Sequence, residues 1–262
     1  MRMIVSCCVL AIAVIAAGRA QAVVLYDGAL GTVPQSQGWL YLTDPLVGSS
    51  ATLTAAGGTA VLDTTAARGE SAGLFSHLQP GVPTLTRTPG FELLIYLQVK
   101  NEGHDHANRG GFSVIIVTSD LQALETAFWE DEIWVYEDDD GGASPGDLFT
   151  HAEGVGFDTV DNMVRYGWLI QGNTYTLTAD GSPILTGPLR DYTNFSGVID
   201  PYEIPDFIFF GDDTSSADAR VSIGRVELNL LSDSAAVPEP ATAAMLCAAC
   251  VTVMRRRPRR LL

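Results

Sequence analysis

Between Val23 and Ala236 no stretch carries apolar residues at i, i+3 and i+4 over three turns. A helix of a globular protein needs that stripe to reach the core, so this chain must build its core from strands. Its apolar segments have strand length, are rich in β-branched and aromatic residues, and are separated by Gly, Pro, Asn and Asp. The clearest is Tyr175–Leu185, where Tyr175, Leu177 and Ala179 alternate with Thr176 and Thr178. Asp180-Gly181 then calls for a two-residue type I′ turn, because both turn positions need positive φ.

Similar segments predict further strands at Val23–Tyr26, Phe91–Val99, Phe112–Val117, Glu132–Tyr136, Phe207–Phe210 and Ala219–Leu230. Phe91–Val99 and Phe112–Val117 carry apolar residues on both parities and are expected to be buried on both faces. On the closing strand, Val221, Ile223, Arg225 and Glu227 are expected on one face, with Val226, Leu228 and Leu230 on the other. Asn101–Gly111 reads as a polar loop and Asp138–Gly146 as an acidic one. Leu121–Phe128 is the one place where a turn or two of helix is expected, from Leu-Gln-Ala-Leu-Glu. Many short strands with regular turns mean a sandwich or barrel.

The body, Val23–Ala236, is long enough for one sizeable core. All four cysteines lie outside it (Cys7, Cys8, Cys247 and Cys250), so it has no disulfide and no thiol nucleophile. Of the 15 Lys and Arg, two precede the body and five follow it; of the 31 Asp and Glu, only Glu239 lies outside. That leaves 8 cationic against 30 anionic side chains, a formal charge of −22. Such a charge excludes nucleic acid as a partner and favours solubility outside a cell.

Motifs that could carry chemistry fail on context. Gly69-Glu70-Ser71-Ala72-Gly73 matches a nucleophile elbow, but Leu74–Leu78 runs straight into Pro80 and leaves no room for the helix an elbow requires. His104-Asp105-His106 lies in the polar loop and is expected to be solvated rather than to hold a metal. Glu130, Asp131 and Glu132 are expected to diverge in a turn rather than project together as a glycosidase pair. No cofactor is expected. Calcium is the one alternative, at Asp212 and Asp213 after the sharp turn that Gly211 permits, with Asp138–Asp140 behind them.

The two ends carry addresses. Arg2, the apolar Ile4–Ala17 and the small residues Ala20 and Ala22 of Ala20-Gln21-Ala22 make a secretory signal peptide over residues 1–22, with cleavage expected before Val23. Residues 237–262 hold Val237-Pro238-Glu239-Pro240, an apolar run Ala241–Met254 and the cluster Arg255-Arg256-Arg257. The prolines end regular structure, the run is short for a membrane span, and the arginines favour a cytoplasmic end. These three ordered elements resemble the PEP-CTERM sorting domain of Gram-negative bacteria. The resemblance implies an exported protein, tethered to the inner membrane before an exosortase-type enzyme processes the tail. It further implies a final place at the cell surface or in an exopolysaccharide matrix.

The body resembles the concanavalin-like, or laminin-G-like, jelly roll. The residues that carry this are Gly111–Ile115, Phe128–Trp134, Thr174–Gly181 and Phe209–Thr214. Leu25-Tyr26-Asp27-Gly28 and Gly38-Trp39-Leu40-Tyr41 are similar to choice-of-anchor proteins. The expectation is an all-β jelly-roll sandwich over residues 23–236, acting as a structural or binding module and not as an enzyme. A carbohydrate-active hydrolase on the same fold is the alternative.

Overall fold

Two 14-residue strands form the spine of the fold, β6 (Phe91–His104) and β15 (Ala217–Leu230). They pair antiparallel along their whole length, from His104 opposite Ala217 to Phe91 opposite Leu230. The computed structural model describes residues 21–43, 49–76, 80–138, 148–197 and 200–232. Contacts divide the chain into Ala20–Leu231 and a second unit, Met1–Arg19 with Ser232–Leu262, which lies outside the described residues but for Ser232.

The remaining strands are β1 (Gln21–Asp27), β2 (Leu40–Thr43), β3 (Thr52–Ala56), β4 (Thr59–Asp63), β5 (Ala72–Phe75), β7 (Ser113–Val117), β8 (Ala123–Phe128) and β9 (Glu132–Tyr136). They continue with β10 (His151–Gly156), β11 (Val164–Gln171), β12 (Thr174–Ala179), β13 (Ser182–Pro188) and β14 (Phe207–Asp212). One sheet, A, has the order β13-β12-β11-β6-β15-β4-β3, with β1 also paired to β15. The other, B, has the order β10-β9-β8-β7-β14-β5-β2. The fold is an all-β sandwich of two antiparallel sheets, as the strand pattern predicts, and no α-helix occurs among the described residues. No helix among them is long and apolar enough to cross a membrane.

The hairpin of β12 and β13 closes through Asp180 and Gly181, both at positive φ (49° and 83°), the backbone of a type I′ turn. Four local expectations are corrected. Leu121–Phe128 is strand β8 rather than helix, because it pairs with β7 on one side and β9 on the other. The segment read as a polar loop from Asn101 continues β6 to His104, held by Ala217–Arg220. β6 alternates: Phe91, Leu93, Ile95, Leu97 and Val99 are core, whereas Glu92, Tyr96 and Gln98 are half-exposed. On β15 the register shifts between Ile223 and Arg225, so Val221, Ile223, Val226 and Leu228 all reach the core. That bulge changes parity at Gly224 and leaves Arg225 outside, 2.8 Å from Asp27.

The main core lies between the sheets. Sheet B differs from sheet A in having a second buried cluster on its other face. On β7, Val114 and Ile116 enter the main core, while Ile115 and Val117 enter the second. The cover over that outer face comes from Leu148, Phe149, Tyr192, Phe195, Tyr202 and Ile204. It is pinned to the sheet by reciprocal backbone bonds between Ala123 and Arg190 (2.7 and 2.9 Å) and by the Tyr192 hydroxyl, which donates to the Tyr136 carbonyl at 2.6 Å.

Candidate active site and binding pocket

A pocket of about 320 Å³ opens in the cover of sheet B. Its floor follows from two glycines. Gly73 of β5 pairs with Gly211 of β14, and the Phe209 ring lies over Gly73, where a Cβ would come within 2.0 Å of it. A Cβ on Gly211 would stand 2.4 Å from the Gly73 Cα, so the two strands approach only because both lack side chains. Phe75, Ile115, Phe149, Phe195 and Tyr202 add apolar wall, and Ser71, Arg109, Glu125, Tyr136 and Asp213 add polar groups.

Glu125 is the centre of the site. On β8 it shares a face with Ala123 and Ala127, whose small side chains leave room around it. It is 3% exposed, and the Tyr202 hydroxyl donates to its Oε2. Its other partner is Asp213, just beyond β14, with which it shares a hydrogen bond. Burial, then the neighbouring Asp213 charge, pushes the Glu125 carboxyl well above the usual range. Burial also raises Asp213, but the Glu125 hydrogen bond, the Ser113 hydroxyl and the Arg109 charge oppose the rise. Both carboxyls are raised, Glu125 the further, so the two titrate as a pair that keeps a proton more readily than a free carboxylate does.

Asp213 is ringed by protein yet keeps exposed surface, because it stands at the solvent side of the pocket. Arg109 is fixed by donation from Nη1 to the Phe149 carbonyl at 2.9 Å. Burial raises Tyr136, Tyr192 and Tyr202, which stay neutral hydroxyls.

The two calcium candidates of the sequence point to different places. Asp212 is 1% exposed and makes its bonds with Thr64 and the Thr214 amide, none with Glu125. The Thr64 hydroxyl donates to Asp212 Oδ2 at 2.7 Å and accepts from the Ala219 amide at 2.9 Å. Burial pushes Asp212 up to about 9, against the hydrogen bonds from Thr64 and Thr214. Asp138 accepts from the Asp191 amide at 2.7 Å, while Asp139 and Asp140 lie outside the described residues. No group of three or more His, Cys, Asp or Glu side chains able to hold a metal occurs among the described residues.

The other sequence candidates do not converge. His104 stacks on Trp129 at 4.2 Å and meets Glu102, Asp105 pairs with Arg68, and His106 accepts from the Asn108 amide. Glu130 accepts from the Glu102 amide and Glu132 meets His151, so the turn carboxylates diverge as expected. The Gly69–Gly73 segment leads into strand β5, not a helix, although Ser71 lines the pocket. Ala22 lies in β1 opposite Asn229. Ala20, Val237–Pro240 and Arg255–Arg257 lie outside the described residues.

No family model matches the sequence, and no curated protein matches it. Solved structures are similar in fold. A conserved carbohydrate esterase from the Shiga toxin-encoding bacteriophage phi24B is 17% identical, with 76% of this chain and 92% of that chain covered and a TM-score of 0.49. The Ca²⁺-bound exoplasmic/lumenal domain of VIP36 is 12% identical, with 80% and 90% covered and a TM-score of 0.48. The Crh5 transglycosylase in complex with NAG is 9% identical, with 82% and 86% covered and a TM-score of 0.46.

The expectation that the chain is no enzyme is corrected here. The similar structures include a carbohydrate esterase and a transglycosylase. The sequence argument looked for carboxylates on one strand or turn, whereas the structure assembles Glu125 and Asp213 from two.

Proposed function

We propose that the pocket over sheet B is a carbohydrate-binding site on an exported, surface-located protein. The observation that carries this reading is the meeting, in one pocket, of aromatic rings with a carboxyl pair, an arginine and a phenol. A sugar ring presents an apolar C–H face and a rim of hydroxyls, so it needs a ring to lie on and fixed acceptors and donors around it. Phe149, Phe195 and Tyr202 supply the first, and Asp213, Arg109 and the Tyr202 hydroxyl the second.

Binding of the protein to a panel of neutral polysaccharides and oligosaccharides tests this, read by calorimetry. Asp213→Ala should weaken any glycan bound by about tenfold or more, the loss of roughly 1.4 kcal/mol or above that a charge-assisted hydrogen bond supplies. Equal affinity in the variant would refute the assignment.

The tail supports export and sorting. The Pro-Glu-Pro element, the apolar run and the arginines would hold the protein at the inner membrane until an exosortase-type enzyme releases it toward an exopolysaccharide matrix. Replacing Pro238-Glu239-Pro240 by alanines should leave export intact and block maturation. An unchanged mature mass and location would count against this. Cleavage before Val23 predicts an exported protein beginning there, and retention of Met1 would overturn it.

A further inference from the structure

Two carboxyl groups that titrate as a pair at the wall of a pocket are more than a binding feature. We propose that Glu125 and Asp213 form a carboxyl dyad that hydrolyses an acyl ester carried by the bound sugar, with O-acetyl as the simplest case. The inference rests on the carbohydrate reading of the same pocket.

Spacing decides the reaction class. A glycosidase holds its carboxyl groups about 5–5.5 Å or 6.5–9.5 Å apart, so that the glycosidic bond lies between them. Hydrogen-bonded carboxyls sit about 2.5–3 Å apart, too close to flank that bond. At that distance like charges cannot both ionise, and a one-proton pair offers a base and an acid side by side. The substrate that fits is a single carbonyl attacked by a single water.

The surroundings fit that use. Asp213 has exposed surface, so water reaches the base. Glu125 beneath it is held by the Tyr202 hydroxyl. Ser113 shares the outer face of β7 with Ile115, and its buried hydroxyl faces Asp213. Ile115, Phe75 and Phe209 give an acyl methyl an apolar wall.

The step balances without a further reagent. Asp213 takes a proton from the water as its oxygen bonds to the carbonyl carbon, and Glu125 gives its proton to the carbonyl oxygen. The C–O bond to the sugar then breaks, the sugar oxygen takes the proton from Asp213, and the proton on the former carbonyl oxygen returns to Glu125. The products are a carboxylic acid and the free sugar hydroxyl, and the dyad is restored.

The test uses the full chain with acetylated xylan and with 4-nitrophenyl acetate, measuring acetate and nitrophenol from pH 4 to 8. Calorimetry with deacetylated xylan runs beside it. Release is expected with both esters, and it should fall toward acid as Asp213 gains a proton and toward alkali as Glu125 loses its own. It should fall by about a hundredfold in Glu125→Gln, as loss of a general acid would cause. Near-UV circular dichroism and Tm check that this neutral isostere is folded, and Asp213→Asn should lose release to a similar extent. Deacetylated xylan that binds while neither ester is cleaved overturns the dyad and leaves the binding reading standing. Cleavage of the nitrophenyl ester that depends on Glu125, without any xylan binding, supports the dyad and removes the carbohydrate. Release unchanged in both variants overturns the dyad outright.

Discussion

The two faces of sheet B are made by the same strands and are covered by different things. Its inner face meets sheet A, where Phe210, Val114, Ile116 and Leu124 pack into an almost wholly apolar core. Its outer face meets irregular segments, and the side chains there include Glu125, Tyr202, Tyr192 and Tyr136. A second sheet keeps its backbone groups in its own ladders and offers a facing sheet only side chains. A loop brings free carbonyls, amides and hydroxyls, and these satisfy polar groups that a sheet would have to exclude. The chemistry of this molecule sits under loops for that reason.

The comparison can be broken by stability measurements. Phe210 is fully buried and meets Trp39 edge-to-face at 4.6 Å, so Phe210→Ala should cost about 3–5 kcal/mol in a denaturant melt. Phe149 is only half-buried among Tyr192, Phe195 and Tyr202, so Phe149→Ala should cost about half as much. Equal costs would mean that the two coverings pack alike.

Arg190 joins the cover to the sheet edges. It is 4% exposed and donates to Glu153 and Glu137, while the Tyr175 hydroxyl also donates to Glu153 at 2.7 Å. Its partners keep some contact with water, so Arg190→Ala should cost about 2–3 kcal/mol, below the range for a fully buried pair. A cost under about 0.5 kcal/mol, the size of an exposed pair, would show that the cover does not depend on this tie.

A smaller effect sharpens the contrast through pH. Asp212 is raised to about 9. A carboxyl raised on folding binds its proton more tightly in the folded state. Its contribution is complete below about pH 4, where an unfolded aspartate titrates, and fades as pH rises toward 9. Asp212→Asn keeps an acceptor for Thr64 without the charge, so the fall in Tm between pH 5 and 9 should be shallower than in the parent. Parallel curves would mean that Asp212 is ionised in the fold.

The smallest expected effect concerns ions. The body charge of −22 opposes compaction, so raising NaCl should lift Tm by a degree or so and level off near about 0.15 M, where the Debye length is about 8 Å. A further rise with millimolar calcium but not magnesium, abolished by Asp212→Ala, would place calcium at Asp212. No response to NaCl would break the charge argument.

Much of the fold was legible because alternation is a local property. Tyr175–Leu185 carries its parity and its Asp-Gly turn within eleven residues, and the structure repeats it. β8 was misread because Leu-Gln-Ala-Leu-Glu are good helix formers and its strand state is imposed by β7 and β9. The bulge at Gly224 was invisible for the same reason, since register belongs to a pair of strands. The dyad lay furthest from view. Glu125 and Asp213 become neighbours only once β7 lies between β8 and β14. The one local hint was an acidic residue flanked by Ala-Leu and Thr-Ala in an apolar strand.

The pairing of Val23 with Leu228 has a topological consequence. The first and last strands of the body end side by side in one ladder, so the fold is a ring closed by hydrogen bonds rather than by a peptide bond. A short linker from Leu230 to Val23 would close it covalently, and the chain could then be cut at the Gly57-Gly58 turn with the β3–β4 pair kept. A body of this kind can be carried at either end of another chain, or spliced into the middle of one, because a host sees both of its ends at a single point.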